Sequence, residues 1–344
     1  MHPAPLRRTI AVSGWQGSGK TTLLERTLPE LRRRGLSLAV VKHDAHGLTL
    51  DVAGKDSDRL FRAGAEVVVD APTESLRRSP AQERAPLVAR LRELERHHDL
   101  VLVEGHKGTP LPRVWLLREG EGVPPSEVSP PLAVYPPGPG REEAFLSLVV
   151  ARLDAAWRET PLLGGILAGG RSSRLGQRKQ DLVFGQEPLL ARLADQLGAV
   201  VSAVVLLGGR GGGVELPLLP DPPRVAGPLA GLLAACRWAP DAAWVVLPCD
   251  LPALQRPALD WLLGERRPGR WVVLPEVGRR PQPLLALYEP LAGPLLESLA
   301  AEGKPSPRRL VGHPAVAVVT APAELAGSWR DIDTPRDLRR LGPT

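Results

Sequence analysis

The chain has 344 residues, 43% hydrophobic and 24% charged, which excludes global disorder and leads to an expectation of two ordinary domains. No apolar run reaches the ~18 residues of a membrane span, residues 1–8 run straight into a strand-like segment instead of a signal peptide, and two cysteines, Cys236 and Cys249, exclude a disulfide framework and fit a reducing, cytoplasmic setting. The net charge of +6 comes from scattered residues, mostly arginine, without a basic stripe interleaved with aromatics, so anionic small molecules and not nucleic acid are the expected partners.

In chain order, strands are predicted at 9–13, 38–42, 66–70, 100–103 and 114–117, with a helix over 20–34. This alternation predicts a mostly parallel sheet covered by helices. The proline- and glycine-rich stretch 124–140 reads as a surface loop, and 141–157 as one amphipathic helix with Leu146, Val149, Val150 and Leu153 on one face. A second series follows, with strands at 162–167, 203–207, 243–247 and 271–274 and helices at 189–197, 229–238 and 291–301. The fold expected is α/β, two tandem domains of 1–159 and 160–344, each opening with a strand that runs into a glycine-rich turn.

The first turn, Gly14-Trp-Gln-Gly17-Ser-Gly19-Lys20-Thr21, matches G-x-x-x-x-G-K-[ST] between a strand and a helix. Such glycines let backbone N–H groups converge on phosphate oxygens, and the following helix adds its partial positive charge. Lys20 is placed to reach the β- and γ-phosphates and the Thr21 hydroxyl to ligate Mg²⁺. Glu104, ending the strand 100–103, is a second hard-oxygen ligand for that metal. Asp44, Asp51 and Asp56 are further acidic candidates near the phosphates, while His43, His46 and His106 lack the spacing of a transition-metal site.

Together, residues 14–22, Val41-Lys42-His43, Gly54-Lys55-Asp56-Ser57, Ala63-Gly64-Ala65 and Leu102-Val-Glu104-Gly105-His-Lys107 resemble the MobB family over residues 7–158. The resemblance implies a P-loop NTPase-like sheet that binds GTP through Gly14, Gly17, Gly19, Lys20, Thr21 and Thr22. It also implies weak GTPase activity at best, and a homodimer formed through this domain.

The second turn, Leu167-Ala168-Gly169-Gly170-Arg171-Ser-Ser-Arg174, then Lys179, follows a strand but lacks the Walker pattern. Gly169 and Gly170 permit a base and phosphates to approach the backbone, and Arg171, Arg174 and Lys179 supply charge where a leaving pyrophosphate develops its own. Asp250 ends an apolar strand at the carboxyl edge of a sheet, a position suited to a Mg²⁺ ligand. Asp221, before the turn Gly227-Pro-Leu-Ala-Gly231, and the pair Asp331 and Asp333 are further acidic candidates. Cys249 reads as a small buried hydrophobe beside the site.

These segments, with Gln282-Pro-Leu-Leu-Ala-Leu-Tyr288 and 331–338, resemble the molybdenum cofactor guanylyltransferase (MobA) family over residues 162–341. The resemblance implies a Rossmann-like nucleotidyltransferase sheet whose Leu167, Ala168 and Gly169 hold guanine and ribose. Lys179 would contact the phosphates, Asp221 the nucleotide, and Asp250 Mg²⁺. It further implies transfer of GMP from GTP to Mo-molybdopterin, with molybdopterin-inserting and molybdoenzyme-maturation proteins as downstream partners. Arg178 stands where this family usually has Asp, and Lys179-Gln180 is similar to the related cytidylyltransferases; Ala168-Gly169-Gly170 and residues 227–231 follow the guanylyl pattern. A sugar-phosphate nucleotidyltransferase and a non-enzymatic GTP-dependent cofactor carrier are the other readings.

Overall fold

The computed structural model describes residues 6–42, 52–79, 85–168, 178–184, 186–209, 213–303, 306–332, 334 and 337. The chain divides into two compact units, Met1–Leu28 with Leu38–Phe145, and Pro29–Ser37 with Leu146–Thr344. Among the described residues no helix is long and apolar enough to cross a membrane.

The first unit begins with β1 (Thr9–Gly14), α1 (Lys20–Arg33), β2 (Leu38–Lys42), α2 (Asp56–Arg62), β3 (Val67–Asp70), β4 (Ser75–Arg78) and α3 (Leu87–Glu95). β5 (Leu100–Glu104), β6 (Arg113–Leu116) and β7 (Ala133–Tyr135) follow, and α4 (Arg141–Glu159) starts in this unit and continues into the second. Every residue of β1, β5 and β6 is buried, as expected of parallel strands covered on both faces. The sheet order is β2-β5-β1-β6-β7, and all four pairings are parallel. The pairing Val12↔Glu104 sets the end of β5 beside the end of β1, where the first glycine turn begins. On one face Ala11, Val101 and Val103 pack with Leu91 of α3.

Three sequence expectations are corrected here. The strand expected at 66–70 forms as β3 but pairs only with β4, as an antiparallel hairpin outside the parallel sheet. The stretch read as a loop over 124–140 contains β7, which completes the sheet edge through Val114↔Ala133 to Leu116↔Tyr135. Between Pro-rich flanks, three residues are too short a run for alternation to register, although Val134 and Tyr135 favour a strand. The buried face of α4 is centred on Phe145, Val149, Leu153 and Trp157, while Leu146 and Val150 sit at its margins. Spacing of four residues carries that face around the helix more faithfully than the apolar count does.

Asp58 ties α2 to the hairpin. Its carboxylate accepts from the Gly54 N–H (2.9 Å), Arg62 Nε (2.8 Å) and Arg78 Nη1 (3.0 Å). The backbone bond from Gly54, then the two arginines, lower its pKa to about 2. A carboxyl group with a folded pKa below its unfolded value stabilises the fold above about pH 4, and that contribution is lost as pH falls towards 2. Urea midpoints measured between pH 5 and 2 are therefore expected to fall more steeply for the native chain than for Asp58→Asn. Parallel curves would show that Asp58 does not carry this dependence.

The second unit contains β8 (Leu162–Leu167), β9 (Val183–Phe184), β10 (Glu187–Pro188), α5 (Leu189–Gly198), β11 (Val204–Leu207), β12 (Leu218–Leu219) and α6 (Pro228–Trp238). It continues with β13 (Ala243–Pro248), α7 (Arg256–Gly264), β14 (Val272–Val277), β15 (Arg280–Pro281), β16 (Ala286–Tyr288), α8 (Ala292–Ala301) and β17 (Val316–Thr320). The main sheet runs β12-β11-β8-β13-β16-β14, with β15 and β17 both pairing β14. Strands β12, β11, β8 and β13 are mutually parallel, and β16 is antiparallel to both neighbours.

Alternation along the strands divides the core in two. Ile166, Leu206, Val245, Leu247 and Leu287 face α5 and α7, whereas Leu167, Val205, Leu207, Trp244 and Val246 face α6 and α8. The result is a three-layer α/β/α unit. A Cβ at Gly164 or Gly165 of β8 would stand 2.6 Å from Leu197 Cδ2 or 2.5 Å from Leu207 Cδ1, so a larger residue there would displace those leucines.

Candidate functional site

At the carboxyl edge of the first sheet, Gly14, Gly17 and Gly19 adopt positive φ (152°, 80° and 85°), so the chain between β1 and α1 can coil into a phosphate-sized loop. Lys20 Nζ donates to the carbonyls of Gly14 (3.2 Å) and Trp15 (2.7 Å), across the concave side of that loop. Burial, and then the like charges of Lys107 and Lys42, lower its pKa against the opposing pull of Glu104. The Thr21 hydroxyl donates to Glu104 Oε1 at 2.8 Å, and Lys42 Nζ lies 3.9 Å from the same oxygen. Thus Thr21 and Glu104, 83 residues apart in sequence, are brought together. Thr22 is exposed one residue further along α1.

Two arginines that sequence reasoning passed over build the walls. Arg141, at the start of α4, donates to the carbonyls of Ser18 (2.8 Å), Leu117 (2.8 Å), Tyr135 (3.1 Å) and Pro136 (3.0 Å). It pins the loop from below, and burial lowers its pKa. Arg113 is fully buried and donates to Ser13 Oγ (3.3 Å), the Lys107 carbonyl (3.0 Å) and the Thr109 carbonyl. Ser13 Oγ donates in turn to the Gly105 carbonyl at 3.0 Å. Nothing in the local sequence of Arg113 or Arg141 marks these contacts, which span 100 and 123 residues.

Of the other expected groups, Asp56 is exposed and pairs with Arg59 at 3.6 Å, away from Lys20 and Thr21 in its contacts. Asp44, Asp51, His43 and His46 lie outside the described residues. Among the described residues no cluster of three or more His, Cys, Asp and Glu could hold a metal ion.

In the second unit the strand order reverses at β8, since β11 lies on one side and β13 on the other; ligands of open α/β sheets bind at such a point. The register Pro248↔Leu167 and the bond from Cys249 N to Leu167 O (3.2 Å) bring Asp250 next to the end of β8. Lys179 Nζ and Asp250 Oδ2 meet there at 2.5 Å, from 71 residues apart. The pair borders a cavity of about 550 Å³, within the size range of small-molecule sites, whose other walls include Gly227, Pro228, Gln282, Arg308, Trp329 and Asp331. Gly227, at φ 71°, turns the chain so that α6 begins at the cavity wall.

The motif 282–288 is built into this wall. Gln282 N–H donates to the Pro275 carbonyl (2.7 Å), and the buried Tyr288 hydroxyl donates to the Pro283 carbonyl (2.6 Å). Leu167 and Ala168 are buried, and Ala168 N–H donates to the Leu207 carbonyl at 3.1 Å. The turn after β11 lies against Asp221, since a Cβ on Gly208 would stand 2.7 Å from Asp221 Oδ1. Partial desolvation raises the pKa of Asp221. Burial pushes the Cys249 thiol up to about 12, in keeping with a packing role and not a nucleophilic one. Gly169, Gly170, Arg171, Arg174 and Asp333 lie outside the described residues.

Fold and site define a P-loop domain joined to an α/β nucleotidyltransferase domain. A family model for molybdopterin guanine dinucleotide synthesis protein B matches residues 9–133, and one for the MobA-like NTP transferase domain matches 164–319. The molybdopterin-guanine dinucleotide biosynthesis adapter protein of Haemophilus influenzae is 39% identical over 32% of this chain, and the match spans 63% of that relative, a little under two thirds of its length. The adapter protein of Escherichia coli is 34% identical over 35% of this chain and 70% of its own length. The molybdenum cofactor guanylyltransferase of Cereibacter sphaeroides is 36% identical over 52% of this chain and 94% of its own length. The chain belongs to the MobB family through its first part and to the MobA family through its second.

Proposed function

We propose that the protein transfers GMP from GTP to the terminal phosphate of Mo-molybdopterin, giving the guanine dinucleotide form and pyrophosphate, and that its N-terminal domain is a GTP-binding adapter with at most weak GTPase activity. The partition into 1–159 and 160–344, and a homodimer formed through the first domain, belong to the same reading. The observation that carries it is the Lys179–Asp250 pair at the cavity edge, in the part of the chain that belongs to the MobA family.

An acceptor phosphate oxygen would attack the α-phosphorus of GTP while the bond to the bridging oxygen of the β-phosphate breaks, and pyrophosphate leaves with that electron pair. A phosphate nucleophile is already ionised near neutral pH, so no general base is needed. The residues then have two tasks, alignment and charge neutralisation. Lys179 turns from Asp250 to the phosphates, Arg171 and Arg174 add positive charge, and the amino end of α6 favours an anion at the cavity wall. Leu167, Ala168 and Gly169 hold the guanine and ribose, Gly170 lets the nucleotide approach the backbone, and Asp221 contacts the nucleotide.

Magnesium fits both sites by the chemistry of their donors. Asp250 offers a carboxylate in the second domain, and Thr21 and Glu104 offer a hydroxyl and a carboxylate 2.8 Å apart in the first. When bound, Mg²⁺ supplies neutralisation of phosphate charge.

The experiment is product analysis with purified protein, Mg²⁺, molybdenum-loaded molybdopterin and either GTP or CTP. Guanine dinucleotide and pyrophosphate from GTP alone are expected. Product from CTP would reassign the base, and turnover only with a sugar phosphate as acceptor would reassign the reaction. GTP binding without any turnover would favour a carrier.

A further inference from the structure

The loop after β5 carries a cation that the adapter reading leaves without a task. Lys107 Nζ sits 3.8 Å from the ring centroid of Trp15, the second residue of the phosphate loop, and has no acidic partner among the described residues. Trp15 is itself 37% exposed and braced edge-on by Trp115, with ring centroids 6.2 Å apart. The same residue receives Lys20 on its carbonyl at 2.7 Å. Lys107 does not arrive there on a slack segment, because the buried Arg113 holds the carbonyls of Lys107 and Thr109. Gly105 N–H also donates to the Val12 carbonyl at 3.0 Å, so the loop starts from the last rung of the β1–β5 ladder.

Position along the nucleotide follows from Thr21 and Glu104. Those two groups would hold a metal that neutralises phosphate charge, and Lys20 of the same motif reaches the β- and γ-phosphates. The segment that leaves Glu104 and returns to Trp15 therefore passes the terminal phosphate. Lys42 and Lys107 both lie close enough to lower the pKa of Lys20 while Glu104 pulls it up, so three ammonium groups gather around one carboxylate that Lys42 meets at 3.9 Å. A charge surplus of this kind suits a ligand more anionic than a diphosphate.

We propose that Lys107 is a specificity-determining residue of the N-terminal site, leaving the Trp15 ring to bind the γ-phosphate and so favouring a nucleoside triphosphate over a diphosphate. The inference rests on the reading of this domain as a GTP-binding adapter. A cation on a partly exposed ring is held weakly, whereas an ammonium–phosphate hydrogen bond is charge-assisted, so the exchange runs toward phosphate.

The test titrates the full chain with Mg²⁺ and GTP or GDP, reading Trp15 emission as the difference between the native chain and Trp15→Phe. Lys107→Met, which keeps an apolar stem on the ring and removes the charge, is expected to weaken GTP at least tenfold and GDP less than twofold. Lys107→Arg should restore most of the GTP preference, and GTP should change Trp15 emission more than GDP does. Equal weakening of both nucleotides, or no change in either, overturns the proposal. So does a Trp15 signal that fails to distinguish GTP from GDP in the native chain while equilibrium dialysis shows binding that Lys20→Ala removes. Because the second domain binds GTP as well, dialysis in which Lys20→Ala leaves the number of GTP molecules bound per chain unchanged would instead overturn the adapter reading itself, and the Lys107 proposal with it.

Discussion

Asp250→Asn is expected to lower the rate of guanylyl transfer by about 10³-fold, equivalent to ~4 kcal/mol of transition-state stabilisation. The amide preserves the volume of a side chain that is only 6% exposed, so the fold should persist. It loses the charge that Lys179 meets and that the proposed Mg²⁺ would require, and an amide oxygen is a poor substitute for a carboxylate toward either. Because the guanine and ribose contacts are proposed at 167–169, affinity for GTP should change much less than turnover. Steady-state pyrophosphate release, set beside equilibrium GTP binding in a Lys20→Ala background, separates the two effects. Turnover within threefold of native would remove Asp250 from the metal site. Equal losses in turnover and GTP affinity would make it a ground-state binding residue instead.

Lys20→Ala is expected to weaken GTP at the N-terminal site by about 100-fold, the ~2.7 kcal/mol appropriate to a charge-assisted contact to phosphate. In the structure the ammonium is held by the carbonyls of Gly14 and Trp15, so it already stands inside the loop and needs little reorganisation to meet a nucleotide. The loop should survive its removal, because Arg141 still holds the Ser18 carbonyl. Titration of GTP followed by Trp15 emission checks this. A loss smaller than threefold would mean that the loop binds its ligand through backbone groups alone.

Much of the architecture was legible in the sequence for local reasons. The strands 38–42 and 162–167 appear with the bounds their apolar runs suggest, and β1, β5, β11 and β13 differ from expectation by a residue at one end. Each is a short, continuous apolar run bounded by turn residues, the pattern of a strand covered on both sides. Helices α2, α3 and α7 were passed over. They are seven to nine residues long, and so few turns give periodicity little to register. The small strands β4, β7 and β16 were missed as well, since three or four residues show alternation only once partners have been assigned.

The sequence by itself determined the two glycine turns, the lysine and threonine that open α1, and the acidic ends of β5 and β13, because each is a contiguous motif whose spacing dictates its geometry. Tertiary structure decided which of them meet. It paired Thr21 with Glu104 and Lys179 with Asp250 across 83 and 71 residues, and placed Arg141 under a loop 123 residues away. It also separated β3 from the parallel sheet and drew β7 into it. Such choices depend on which backbone edges and buried charges find partners once the layers pack, and a buried guanidinium such as Arg113 is sustained by carbonyls that only the folded chain brings within reach.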